Sequence, residues 1–404
     1  MAVYLGIDWS TKSHSLTFIN EEGVIIAKET IPHSAKGFAR LDEIRHSLGI
    51  SAAECVVGIE SSHTLLVDWL CSHGYEQIYV VPPRMTAGRQ STYRQSGART
   101  DSHDSYLIAN LLRTDRHLLH PWRPHSPTIQ LLQGQVSLRM QLVVERVREQ
   151  NRLRELLSRY YPAFLQAFSL DTDVGLAFLQ RYPTPQAAEK VTWSEFEAFA
   201  CDQGYAPRHR VKAFAAMQRV QPSPLPEIAA AAKPTMLVLA RRLAETRTLI
   251  KETEKAIRSL YIAHPDRYIY DSLPGVGDVL APALLSKLGD DRERFPNPGT
   301  LQAFAGTAPV TEESGGRRII HFRQACDKEF RTIAQSWAKA SLEKSPWAVG
   351  YFTQARERGH STSRVQRALA NRWLAILWKL WQTHQPYDQD LHLQRVKDRS
   401  RPRC

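Results

Sequence analysis

The chain has few cysteines: Cys55, Cys71, Cys201, Cys326 and Cys404 stand among 404 residues with no CxxC spacing. That scatter excludes a disulfide framework and argues against a zinc site. Long hydrophobic runs are also missing. No stretch approaches the roughly 18 apolar residues a membrane span needs, and the start, MAVYLGIDWS, lacks a charged segment followed by an apolar one. The expected setting is cytoplasmic, with no membrane partner. Acid is scarce towards the end of the chain, where Gly316 to Cys404 holds 7 Asp or Glu against 18 Lys or Arg. Most of the formal net charge of +12 therefore lies in the last fifth of the chain. Such a concentration is the footprint of a protein that meets a polyanion, although the final RVKDRSRPRC also reads as a solvated basic tail.

What is present suggests two or three domains at this length. Residues 3–8 (VYLGID), 15–20 (SLTFIN) and 24–31 (VIIAKETI) read as strands, the last two joined across Glu21-Glu22-Gly23. A helix near 36–48, a strand at 55–59, a helix at 64–73, a strand at 77–81 and a helix at about 102–114 follow. Three antiparallel strands and then alternating helix and strand suit a mixed sheet with helices on its faces, the order of an RNase H-like fold. From Ile129 to Leu157, Leu132, Val136, Met140, Val143 and Val147 recur at helical spacing. A second such stretch, about 236–261, carries Leu239, Leu243, Ile250, Ile257 and Leu260. The two are expected to pair as an antiparallel coiled-coil arm or to dimerise. Between them, 162–235 reads as an inserted helical subdomain, with Trp193, Phe196 and Phe199 in one patch and a linker in QPSPLPEIAAAAKP. The expected division is an α/β domain over 1–125, the arm over 126–265, an all-α domain over 266–390 and a basic tail over 391–404.

Four carboxylates stand where such a fold can gather them. Asp8 ends the first strand, Glu60 follows the fourth, and Asp101 and Asp104 sit three apart at a helix start, on one face. Crowded carboxylates repel unless divalent cations neutralise them, and all-oxygen ligation suits Mg2+ or Mn2+. Two such ions serve displacement at a phosphodiester. Each acid also has a plainer reading as a turn residue, loop acid or helix cap, with Thr100 competing as a cap. Arg84, Arg89, Arg94 and Arg99 precede the helix with no acid between Glu76 and Asp101, an arm suited to phosphates.

Two glycine-bearing turns add candidates. Leu273-Pro274-Gly275-Val276-Gly277 resembles the turn of a helix-hairpin-helix, whose amides, at Gly275 and Gly277, would face a phosphate; an ordinary αα-turn reads equally well. In Ala305-Gly306-Thr307-Ala308-Pro309-Val310-Thr311-Glu312-Glu313-Ser314-Gly315-Gly316-Arg317-Arg318, a serine stands in a flexible loop beside paired arginines. Ser314 there could attack phosphorus, with Arg317, Arg318 and Arg323 stabilising the charge that develops, or Ser-Gly-Gly could simply be a turn.

The motifs GIDWSTKSH (6–14), GIESSH (58–63), GARTDSHDSYLIANLLR (97–113), LPGVGDVLAPALLSKLGD (273–290) and FAGTAPVTEESGG (304–316) together resemble the insertion-sequence DEDD transposases, the family that includes bridge-RNA-guided recombinases and Piv-type invertases. The resemblance implies a RuvC-like tetrad of Asp8, Glu60, Asp101 and Asp104 and a nucleophilic Ser314 in a C-terminal transposase domain. It further implies a phosphoserine intermediate, a homodimer or homotetramer, donor and target DNA, and a non-coding guide RNA. Lys12 joins the candidate nucleic-acid contacts. Gly6-Ile7-Asp8 with Ser10-Thr11-Lys12 also resembles the phosphate loop of an actin-like kinase, but no second glycine-rich phosphate hairpin stands between 120 and 270. An invertase, a metal-dependent junction nuclease with a structural serine and a silent nucleic-acid binder complete the alternatives.

Overall fold

Val3, Leu5 and Ile7 alternate with Tyr4, Gly6 and Asp8 along β1 (Val3–Trp9), and this two-residue period assigns each side chain to a face of the sheet. The structure, a computed structural model, describes residues 2–62, 64–86, 88, 101–219, 225–314 and 317–400, with backbone alone at 101, 102, 314, 399 and 400. The chain divides into two compact units, Met1–His125 and Ser126–Cys404.

In the first unit, β1, β2 (Ser13–Ile19), β3 (Ile25–Pro32), β4 (Cys55–Ile59), β5 (Gln77–Val80) and β6 (Pro121–Trp122) form one sheet in the order β3-β2-β1-β4-β5-β6. Strands β1, β4 and β5 run parallel, while β2, β3 and β6 are antiparallel to their neighbours. Helices α1 (Ala35–Ser47) and α2 (Leu65–Ser72) cover the face that carries Leu5, Ile7, Val57 and Ile59, through Phe38, Leu41, Leu66 and Leu70. Each of those aliphatic chains is fully buried, which contributes about 1.5–3 kcal/mol apiece. Helix α3 (Asp101–Asp115) covers the other face, packing Ile108, Leu111 and Leu112 on Val56 and Tyr79. This mixed sheet with helices on both faces is compatible with the RNase H-like order expected from the sequence.

The second unit opens on α4 (Pro127–Tyr160), with Ser126 capping the Ile129 amide and Pro127 in the first turn. Its partner is α10 (Pro226–Ile262). Arg139 pairs with Glu254 at 2.6 Å, Glu149 accepts from Thr246 at 3.1 Å, and Leu153 and Leu157 share a core with Met236, Ala240 and Leu243. Positions rising along one helix thus meet positions falling along the other, so the pair is antiparallel within one chain. The α4 seam departs from the expected one. Leu142 and Gln150 are buried where Val147 was expected, and Val147 is exposed.

Between the pair lie α5 (Pro162–Ala167), α6 (Asp173–Arg181), α7 (Pro185–Glu189), α8 (Trp193–Asp202) and α9 (Pro207–Met217), packed around Phe164, Phe168, Phe178, Phe196 and Phe199. The proline-rich linker expected up to residue 235 is instead helix from Pro226. A proline needs no amide partner in the first turn, and the Ala229-Ala230-Ala231-Ala232 run is strongly helix-forming.

Helices α11 (Arg267–Asp271), α12 (Gly277–Leu288), α13 (Pro298–Phe304), α14 (Lys328–Ser341), α15 (Pro346–Glu357), α16 (Thr362–Thr383) and α17 (Gln389–Ser400) build the rest. Their core centres on Trp337, Trp373 and Trp381, all fully buried. Trp337 donates to the Pro274 carbonyl at 3.0 Å and Trp373 to the Ser341 hydroxyl at 2.9 Å, so these two indoles meet their polar needs, whereas the Trp381 ring nitrogen has no acceptor among the described residues. The expectation of an all-α region is corrected by an antiparallel hairpin, β7 (Val310–Ser314) and β8 (Arg317–His321). Val, Thr, Ile and Ile flanking a Gly-Gly pair favour strand over loop.

Candidate active site

Parity and register bring Asp8 and Glu60 together. Ile7 is aligned with Ile59 across the parallel β1–β4 pair, so Asp8 and Glu60 are the next residues out on neighbouring strands. Asp8 has the parity of Tyr4 and Gly6, and Glu60 that of Val56 and Gly58, which places both acids on the face covered by α3. Glu60 Oε1 accepts from the Thr86 hydroxyl at 3.0 Å. The Val81 amide donates to the Ile59 carbonyl at 2.9 Å and carries the ladder one step past β5, which brings the segment with Thr86 beside Glu60.

Helix α3 is laid directly on these strands because two glycines let it approach. A Cβ on Gly6 would run into the Ser105 carbonyl oxygen and lie 2.5 Å from the Ala109 amide nitrogen. One on Gly58 would lie 2.7 Å from Ile108 Cγ2 and Leu112 Cδ1. The buried Ser105 and Thr17 hydroxyls meet at 2.8 Å and fix the helix laterally. The other end of α3 fixes its direction: Arg113 donates to the Glu21 carbonyl at 3.4 Å, in the β2–β3 turn beside the start of β1. The start of α3 therefore lies at the opposite edge, where Asp8 and Glu60 emerge. Ser105 lies over Gly6, Asp101 is one helical turn of about 5.4 Å before it, and Asp8 is a two-residue strand step of about 6.6 Å beyond Gly6. Asp104, with its side chain half-buried, adjoins Ser105. The Asp101 side chain lies outside the described residues. Among the described residues, no three His, Cys, Asp or Glu stand close enough together to hold a metal ion.

Lys12 is exposed in the β1–β2 turn at this same edge, and Arg84 is exposed in the helical turn after β5. Arg89, Arg94 and Arg99 lie outside the described residues. The opposite face of this edge holds a different group. His14, aligned with Trp9, is fully buried and its Nε2 lies 2.9 Å from His33 Nδ1. Burial first, and the His33 charge second, push His14 down to about 4.

In the second unit Ser314 ends β7 and is aligned with Arg317, with only Gly315 and Gly316, outside the described residues, between them. Ser314 is thus a strand residue rather than the loop residue expected; its side chain is not among those described. Arg318 Nε pairs with Glu313 Oε1 across the hairpin at 3.2 Å, both exposed, so the link is weak in water. Arg323 Nε donates to the Ala308 carbonyl at 3.1 Å, at the foot of the hairpin.

The glycine turn before α12 is packed on one side and open on the other. Gly275, at φ +80°, is pressed on α14, where a Cβ would lie 2.6 Å from the Ala340 carbonyl carbon. Its role is close packing. Gly277 is open, but Asp278 stands in the first turn of α12 and already supplies the negative charge that this helix end attracts.

Two family models match the chain. One, described as a transposase of the DEDD type (DEDD_Tnp_IS110), matches residues 5–162, and one described as "Transposase IS116/IS110/IS902 family" matches residues 268–353. The chain is 31% identical to the "Mini-circle putative transposase for IS117" of Streptomyces coelicolor, over 96% of each chain. It is 27% identical to an uncharacterized 44.8 kDa protein of insertion element IS116 in Streptomyces clavuligerus, over 94% of each. An uncharacterized 42 kDa protein of IS900 in Mycobacterium paratuberculosis is 25% identical, over 95% of this chain and 97% of its own. The chain belongs to the IS110/IS116 family of transposases. The first match spans Asp8, Glu60, Asp101 and Asp104, and the second spans the glycine turn and the Ser314 hairpin.

For this transposase the sequence reading overlooked Thr86, whose role depends on how the chain folds back beyond β5. It also overlooked Phe322, Arg331 and Arg367. Arg331 Cζ stands 4.4 Å and Arg367 Cζ 4.5 Å from the centre of the Phe322 ring. These residues come from three separate segments, and no local spacing links them. Among the described residues, no helix is long and apolar enough to cross a membrane.

Proposed function

We propose that this transposase cuts and rejoins DNA phosphodiesters with two sets of groups, the acids Asp8, Glu60, Asp101 and Asp104 and the hydroxyl of Ser314. The observation that carries the reading is the packing of α3 across Gly6 and Gly58, which sets its acidic first turn at the edge where Asp8 and Glu60 emerge. The donor set is all carboxylate oxygen, which fits Mg2+ or Mn2+, and the DEDD class is typically dependent on a divalent metal. When bound, such ions would neutralise charge on the phosphate and on the acids themselves. The Thr86 hydroxyl, whose one proton is shared between Glu60 Oε1 at 3.0 Å and the Pro83 carbonyl at 2.9 Å, orients Glu60 through one of its oxygens.

In the second unit the bond from Ser314 Oγ to phosphorus forms as the bond from phosphorus to the leaving sugar oxygen breaks, and the hydroxyl proton ends on that oxygen. Arg317, beside Ser314 in register, and Arg318 supply positive charge for the pentavalent transition state. Reversal by a different sugar hydroxyl rejoins the strand and frees the serine. The basic C-terminal region supports contacts to DNA backbone, and a guide RNA would choose the sequence by pairing.

The test uses purified full-length protein, Mg2+ and DNA carrying the ends of the element. Asp8→Asn and Asp104→Asn should each lower strand cleavage by about 100-fold or more. Ser314→Ala should remove a covalent protein–DNA adduct that survives denaturing electrophoresis. Undiminished cleavage by the two acid variants, or an adduct that persists in Ser314→Ala, refutes the assignment.

A further inference from the structure

Phe322, the residue after β8, is flanked by two cations. Arg331 reaches it from α14 and Arg367 from α16, so the two guanidinium carbons are no more than about 9 Å apart, within a Debye length of about 10 Å at moderate salt. Both lie against the same ring, yet neither has an ion-pair partner among the described residues. The nearby acids are engaged elsewhere. Glu312 faces His321, Glu313 faces Arg318, and Asp327 and Glu329 both bind Lys287. The Nε atoms of Arg331 and Arg367 are buried without a hydrogen-bond acceptor. Arg331 Nη2 donates to the Arg323 carbonyl and to Cys326 Sγ, which fixes that guanidinium without neutralising it. Two cations on one ring with no carboxylate partner among the described residues form a site for an anion.

Its construction is specific. Gly306, in the left-handed region at φ +64°, leaves room for Arg331: a Cβ there would lie 2.8 Å from Arg331 Nη2 and 2.6 Å from Cys326 Sγ. The glycine of the FAGTAP motif thereby acquires a purpose that the reaction chemistry did not give it. The hairpin above is exposed along all of β8. Phe322 follows β8 directly, five residues on from Arg317 beside Ser314, a reach of at most about 17 Å at strand rise.

We propose that Arg331 and Arg367, both lying against Phe322, clamp a backbone phosphate of the DNA duplex at a distance of up to about 17 Å from the phosphate handled at the hairpin tip. The position of the clamp relative to the reacting phosphate rests on the proposed role of Ser314, whereas phosphate binding does not. The interaction is charge-assisted and reads no base, so it would hold register for any sequence.

The experiment measures binding of full-length protein to a short non-specific DNA duplex across a range of salt concentrations. Arg331→Gln and Arg367→Gln should each weaken binding and reduce the slope of log affinity against log salt by about one unit. Arg367→Lys, which keeps the charge, should retain the wild-type slope. Unchanged slopes in both glutamine variants, with melting temperatures like wild type, overturn the clamp. Should a glutamine variant fail to fold, wild-type protein treated with phenylglyoxal decides: DNA should protect Arg331 and Arg367 from modification, and equal modification with and without DNA overturns the proposal. Weakened binding to single-stranded RNA with DNA binding intact also overturns it. Loss of the Ser314 adduct assignment alone would leave these slopes as expected, so the two readings fail separately.

Discussion

Gly6→Ala is the substitution that most directly couples packing to the acids. The new methyl would meet the Ser105 carbonyl oxygen and the Ala109 amide nitrogen, both backbone atoms of α3, so no rotamer change relieves it. Non-bonded carbon contacts are optimal at about 3.5–4 Å, and α3 must therefore retreat by roughly an ångström or more. Overpacking of this kind costs about 1–3 kcal/mol. Separating the buried Thr17 and Ser105 hydroxyls, now 2.8 Å apart, adds about 1 kcal/mol, for a total of about 3 kcal/mol. Gly58→Ala serves as the contrast, since its nearest contacts are side-chain rather than backbone atoms, on Ile108 and Leu112, and it should cost about 1–2 kcal/mol. Hydrogen exchange with mass spectrometry on full-length protein measures the opening of α3 directly. Cleavage under Mg2+ measures the consequence, an expected loss of about 100-fold for Gly6→Ala from misplaced acids. Protection of α3 in Gly6→Ala within about 0.5 kcal/mol of wild type, or greater damage from Gly58→Ala than from Gly6→Ala, would refute the close approach of α3 as the cause.

Thr86→Val should lower cleavage by about 10-fold while leaving the melting temperature nearly unchanged, because Glu60 loses its only described donor but can be solvated; equal activity in Thr86→Val and wild type would separate Thr86 from the site. His14 is held at about 4 against its ordinary value of 6.5, so in the window between those values the unfolded chain binds more protons than the folded one. Stability should therefore fall as pH drops from about 6.5 towards 4, and His14→Phe should flatten that part of a denaturation-midpoint profile; an unchanged profile counts against it. Lys287 Nζ holds Asp327 and Glu329 at 2.9 Å each and is 15% exposed, so Lys287→Met leaves two acids facing each other. A loss of about 2 kcal/mol in urea denaturation is expected, less than for a fully buried pair because both acids are partly solvated.

The mixed sheet was legible because its strands carry their own signals: alternation in VYLGID, a charged glycine turn at 21–23 and an apolar CVVGI all act through nearest neighbours. Face and edge were legible too, since parity and strand ends follow from the same pattern. Other features depend on contacts that sequence spacing does not encode. Nothing in ESGGRR distinguishes a loop from a strand tip, and the hairpin became visible only when Val310 and His321 were seen in register. Pro226 and Pro234 suggested a linker because proline breaks helices in isolation, whereas packing of Ala229, Met236 and Ala240 into the core carries the helix through them. Gly275 suggested an open phosphate cradle, and only the fold shows α14 lying against it.

The strict two-residue period of β1 and β4 limits which length changes this enzyme can survive. Deleting Ile7 would turn the carboxylate to the face of His14, Phe38 and the aliphatic core, where burial penalises an ionised acid. Deleting Gly6 and Ile7 together would restore the face but draw the acid back beneath α3, onto the position Gly6 now holds. The strands that carry Asp8 and Glu60 can therefore be altered residue by residue but not in their count.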